Sequence, residues 1–137
     1  MNTIMDISVV AIDEPKLQVR VDALNSVLSY QWKEPILDDE VTTGFLAILN
    51  LIERHSIANV IADLSAFEEG TVTTDRWIND NYCETLKEVG IRKMAVIVPE
   101  NAFNEFSNRM VLSEKVVSLL NAKKFTSKED AHIWFQQ

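Results

Sequence analysis

Ile57-Ala58-Asn59-Val60-Ile61-Ala62-Asp63-Leu64 and Met94-Ala95-Val96-Ile97-Val98-Pro99 decide the fold. Each is a short apolar run that follows a segment of helical periodicity. A strand that is apolar at successive positions, rather than at alternate ones, is covered on both faces. Strands of that kind belong to parallel sheets sheltered by helices. The two runs therefore predict neighbouring parallel strands at the centre of an α/β domain. The first run carries a carboxylate, Asp63, where strand gives way to loop, and in α/β folds that end of a strand is where sites gather.

Upstream, residues 5 to 12 and 17 to 21 are rich in β-formers and are separated by Asp13-Glu14-Pro15-Lys16, which predicts a hairpin. Leu17, Val19 and Val21 share one face of the second strand, and Gln18 and Arg20 share the other, the alternation of a half-buried strand. After the turn-like Asp22-Ala23-Leu24-Asn25-Ser26, the run Val27 to Trp32 sets Leu28, Tyr30 and Trp32 on one side. Pro35 ends the extended stretch, and Asp38-Asp39-Glu40 supplies the negative charge that a helix N-terminus favours. A helix over 38–54 follows, with Val41, Phe45, Ile48, Leu49 and Ile52 on its buried face.

Between and beyond the central strands the same signals recur. The loop Ser65 to Val72 leads to Thr73-Thr74-Asp75, a cap and first turn, and then to a helix with a stripe of Ile78, Tyr82, Leu86 and Val89 that ends at Gly90. The second central strand spans 92–98. A helix over 103–121 carries Phe103, Phe106, Met110, Val117 and Leu120 on a wide stripe. A short edge strand around Phe125 leads to Ser127-Lys128-Glu129-Asp130, a cap followed by acidic first-turn residues, and then to a last helix over 131–136. The predicted order is β-β-β-α-β-α-β-α-β-α. It describes a mixed sheet with antiparallel N-terminal strands and parallel central strands, flanked by about four helices.

The totals fit this reading. A chain of 137 residues with 47% hydrophobic and 25% charged content is one domain, and it can bury about 70% of the surface its unfolded form exposes. Lys and Arg number 13 against 21 Asp and Glu, a net charge of −8 that repels a phosphate backbone, so nucleic acid is not an expected ligand. The basic doublets Arg92-Lys93 and Lys123-Lys124 read as solvated strand ends. Cys83 is the single cysteine, which suits a reducing compartment. No run reaches the roughly 20 apolar residues that span a bilayer. Met1 to Asp6 lack the basic and apolar regions of a signal peptide, so the expected compartment is the cytoplasm.

Chemistry-bearing patterns are sparse. Gly44, Gly70 and Gly90 are too far apart to form a phosphate-cradling loop, which leaves no nucleotide cofactor motif. His55, His132 and Cys83 have no ligand spacing, and His55 near a helix end suits the dipole better than catalysis. Ser65, His55 and Asp63 lack the Gly-x-Ser-x-Gly frame of a nucleophilic triad, and Glu68 and Glu69 are neighbours that point apart. Trp32, Trp77, Tyr82, Phe45 and Phe67 either belong to the core or line a pocket for an apolar ligand. Trp77, beside the main stripe of its helix and close to the loop after Asp63, is the one placed for binding. Trp134-Phe135 reads as docking onto the domain.

The order of elements, together with Val60-Ile61-Ala62-Asp63-Leu64-Ser65, Met94-Ala95-Val96-Ile97-Val98 and Phe125-Thr126-Ser127-Lys128-Glu129-Asp130-Ala131-His132-Ile133-Trp134-Phe135, resembles a STAS-like (SpoIIAA-like) domain over residues 5 to 136. That family is related to STAS anti-sigma-factor antagonists and to Sec14-type lipid carriers. The resemblance implies a bacterial, non-enzymatic protein that meets an unidentified protein partner through the loop and helix start after the central strand, and the residue spacings above lead to the expectation of no cofactor and no metal. By position that loop and helix start match Asp63 to Asp75, and with Trp77 from the helix reading the candidate interaction or switch residues are Asp63, Ser65, Thr73, Thr74, Asp75 and Trp77. Where STAS antagonists carry Asp-Ser-Ser/Thr-Gly with a phosphorylated hydroxyl, this chain has Thr73-Thr74-Asp75-Arg76-Trp77 after a longer loop. The alternative is binding or carriage of a lipid or other apolar small molecule between helices and sheet.

Overall fold

The computed structural model describes residues 8–32, 38–63, 65, 83–98 and 120–137. Six strands form one sheet in sequential order: β1 (Val9–Asp13), β2 (Leu17–Asp22), β3 (Val27–Trp32), β4 (Asn59–Asp63), β5 (Lys93–Ile97) and β6 (Ala122–Phe125). The first three are antiparallel, and β3 to β6 run parallel. Three helices accompany them among the described residues: α1 (Asp38–His55), α2 (Cys83–Glu88) and α3 (Lys128–Phe135). The mixed α/β sheet predicted from the sequence is the observed one. The helix expected over 103–121 lies outside the described residues except for its end at Leu120.

The two apolar runs lie side by side. Asn59 pairs with Lys93, Ile61 with Ala95 and Asp63 with Ile97, in parallel register. Four of the five residues in each strand are buried, as coverage on both faces requires. The antiparallel half behaves differently: Leu17, Val19 and Val21 of β2 are buried while Gln18 and Arg20 are half-buried, so one face of that half is polar.

Topology decides which helix covers which face. Successive parallel strands laid down in one direction by right-handed crossovers place their connecting segments on the same side of the sheet. Accordingly Phe45, Ile48 and Ile52 of α1, Leu86 of α2 and Leu120 pack together on Leu28, Tyr30, Val60, Ala62, Met94 and Val96. Phe45 meets Tyr30 edge to face, with centroids 5.6 Å apart. The opposite face is left to the helix after the last strand. There Ala131 of α3 lies on Val27, Ile61, Ala95 and Ile97, with Phe125, Trp134 and Phe135 around it. Trp134-Phe135 thus docks onto the domain. This helix begins at Lys128, three residues before the predicted start, because the Ser127 side chain accepts from the Asp130 amide and caps it there.

The helix ends use one device twice. Ile57 donates to the Ile52 carbonyl and Ser56 to Glu53, while Ile91 donates to Leu86 and Gly90 to Lys87. Both are Schellman closures with a left-handed residue just past the helix, Ser56 at φ 53° and Gly90 at φ 100°. Ser56 also serves a second purpose. Its carbonyl accepts from Ser26 Oγ at 3.0 Å, and that same oxygen accepts from the Ala58 amide at 2.8 Å, which ties the β2–β3 turn to the entry of β4. In that turn the buried Asp22 accepts from the Asn25 amide and side chain at 3.0 and 2.7 Å.

A Cβ added at Gly90 meets nothing within 4 Å, so its cost is conformational alone. Gly90→Ala is expected to lower unfolding free energy by about 1–2 kcal/mol in a urea titration, whereas Ser56→Gly, which relieves the same conformation, raises it by about 0.5 kcal/mol.

Candidate functional site

Asp63 is the last residue of β4, at the carboxyl end of the parallel strands, with Gln31 of β3 on one side and Ile97 of β5 on the other. Alternation along the strand puts it on the same face as Ile61, the face that α3 covers. Among the described residues it is one of two buried acids, and only 6% of its surface is exposed. A buried carboxylate must be hydrogen-bonded and paired to be tolerated. Both of its oxygens are engaged. Oδ1 accepts from the Ser65 amide at 3.0 Å and from Ser65 Oγ at 2.5 Å. Oδ2 faces Lys128 Nζ at 3.7 Å, from the first residue of α3.

This arrangement gives Asp63 a definite task. By taking two hydrogen bonds from the residue two positions on, it turns the chain as it leaves the sheet, the local geometry that Asp and Asn side chains use to make turns. Through Lys128 it also joins that turn to the N-terminus of the last helix. Thus Asp63 and Ser65, both singled out from the sequence, come together. Thr73, Thr74, Asp75 and Trp77 lie outside the described residues, as do Phe67 and Tyr82. Phe45 belongs to the core at 1% exposure. His55 stands in the last turn of α1, where the dipole favours a cation.

Two lysines that sequence reading left without a role matter here. In the sequence Lys128 belongs only to the segment that opens the last helix. Lys93, read as a solvated strand end, donates from Nζ to the Trp134 carbonyl at 3.0 Å and to the Gln137 carbonyl oxygen at 3.2 Å, and lies 5.1 Å from the Trp134 ring centroid. The available signal was the strand alternation, which sets Lys93 on the face of Ala95 and Ile97. The missing information was that the C-terminal helix crosses that face. Arg92, its neighbour in the doublet, is exposed as expected.

Among the described residues no group of three or more His, Cys, Asp or Glu is gathered to hold a metal ion, and no described helix is long and apolar enough to cross a membrane. Compared with protein-family models, with curated proteins and with solved structures, the chain finds no match in any of the three.

Removing one donor from a buried charged acceptor is costly. Ser65→Ala is expected to lower stability by about 1–2 kcal/mol. In a double-mutant cycle with Asp63→Ala and Lys128→Met, the coupling should be near 1 kcal/mol, held down by the 41% exposure of the lysine side chain against 9% for the carboxylate.

Proposed function

We propose that this chain is a non-enzymatic interaction or regulatory domain of the STAS-like type, whose contact face is the end of the sheet where β4 runs into the segment from Asp63 to Trp77. The observation that carries the reading is the state of Asp63. Its two oxygens are used within the protein, on Ser65 and on Lys128, so the carboxylate acts as a fixed support for the start of that segment. The carboxyl end of parallel strands, where the chain leaves the sheet at a fixed turn, is a suitable platform for recognition. The order of an antiparallel N-terminal half followed by parallel strands also agrees with what the resemblance implies.

On this reading Thr73, Thr74, Asp75 and Trp77 continue the contact face, and a negative charge added at Thr73 or Thr74 alters it electrostatically. The partner is a protein, and the compartment is the cytoplasm of a bacterium.

Affinity capture from native cells tests this with three baits: the wild type, Thr74→Glu, and Leu24→Asp as a control. Leu24 lies in the β2–β3 turn and is 83% exposed. A partner retained by the wild type and the control but lost by Thr74→Glu is the expected result. The same partners on all three baits, or none on any, contradicts the proposal. An apolar compound recovered by solvent extraction and mass spectrometry of the purified protein would favour the carrier function instead.

A further inference from the structure

The helix α3 lies on the sheet face opposite α1 and α2, and among the described residues it is the one helix there. Its eight residues are too few to be helical by themselves in water, so its structure depends on docking. The apolar part of that docking is thin. Ala131 is its one fully buried residue, Trp134 and Phe135 are half-buried, and Ile133 is 45% exposed. Beneath it, by contrast, Val27, Ile61, Ala95 and Ile97 are buried to 4% exposure or less.

What completes the attachment is a lysine at each end. At the start, Lys128 of the helix reaches Asp63 at the carboxyl end of β4. In the last turn, Lys93, from the opposite end of β5, reaches the carbonyl oxygens of Trp134 and Gln137 and approaches the Trp134 ring. The two attachments differ in what they share with the rest of the protein. Lys93 touches only the helix end among these contacts. Asp63, in contrast, holds Ser65 with one oxygen and Lys128 with the other, so a single carboxylate serves both the helix and the turn that leaves β4.

We propose that α3 is a releasable strap that opens from either end while the sheet stays folded, and that release at its Lys128 end loosens the turn at Ser65. Release at the Lys128 end leaves Oδ2 of a buried carboxylate without its cation. The carboxylate then moves toward solvent, and the two bonds to Ser65 that depend on its position loosen with it. Release at the Lys93 end has no such route to Ser65. Local opening of this kind is sub-global, carried by an element with few buried apolar contacts. Neither the strap nor the turn needs a bound partner for this opening.

Native-state hydrogen exchange of the full chain, followed amide by amide, tests it in the wild type, Lys128→Met and Lys93→Met. The expected result is that amides of Ala131 to Phe135 in the wild type exchange by an opening that is smaller than global unfolding and insensitive to denaturant, while those of Val60 to Ala62 exchange only with it. Both variants should speed the helix amides about tenfold, and only Lys128→Met should speed the Ser65 amide. Helix amides that exchange together with those of β4 overturn the strap. A Ser65 amide unchanged in Lys128→Met, or equally accelerated in Lys93→Met, overturns the coupling. Since Lys93→Met keeps the Asp63 site intact, a general loss of stability in one variant is distinguished from release of the turn.

Discussion

The parallel pairing of β4 with β5 is the constraint on which the rest of the structure depends. With Ile61 opposite Ala95 and both fully buried, neither strand can sit at a margin, and both faces of the sheet must be covered at that point. Right-handed crossovers send α1 and α2 to one face. The opposite face then falls to the chain that follows β6. A helix of eight residues is what covers it, and its small apolar contribution explains why polar attachments at both ends accompany it.

From that constraint the position of Asp63 follows. A strand buried on both faces ends where the helical cover ends, and the residue there lies between protein interior and loop. A carboxylate in such a place has to be satisfied locally, and the chain does so with Ser65 two residues on and with Lys128 from the helix that the topology delivers to the same face. The buried Asp22 at the other end of the sheet is treated in the same way, with both oxygens taken by Asn25. The two buried acids are therefore elements of chain direction: one turns the chain between β2 and β3, and the other turns it out of β4.

The strands were legible in the sequence because their signals are local. Alternation in Leu17 to Val21, the uninterrupted runs at Val60 and Met94, and the turn residues between them each predict an element without reference to the rest. The third strand was read with the bounds it has, Val27–Trp32. The cap at Ser127 and the acidic first turn, Glu129 and Asp130, are legible in the sequence, and the helix includes that turn, so it starts at Lys128 and not at Ala131. In the candidate site, Asp63 and Ser65 were visible from their place at the end of a strand. Lys128 and Lys93 were not, since each finds its partner some 40 or more positions away, Lys93 to Trp134 spanning 41 residues. Sequence periodicity reports which face a residue lies on. It does not report which distant element arrives there.

Interstrand proton contacts measured by nuclear magnetic resonance decide whether β4 and β5 pair in parallel. A parallel pattern of contacts between Asn59–Asp63 and Lys93–Ile97 is expected, with Ile61 opposite Ala95 and the amides of both strands among the slowest to exchange. An antiparallel pattern, helical contacts within either segment, or a second neighbour missing from either strand would contradict it, and the site built on Asp63 would lose its foundation.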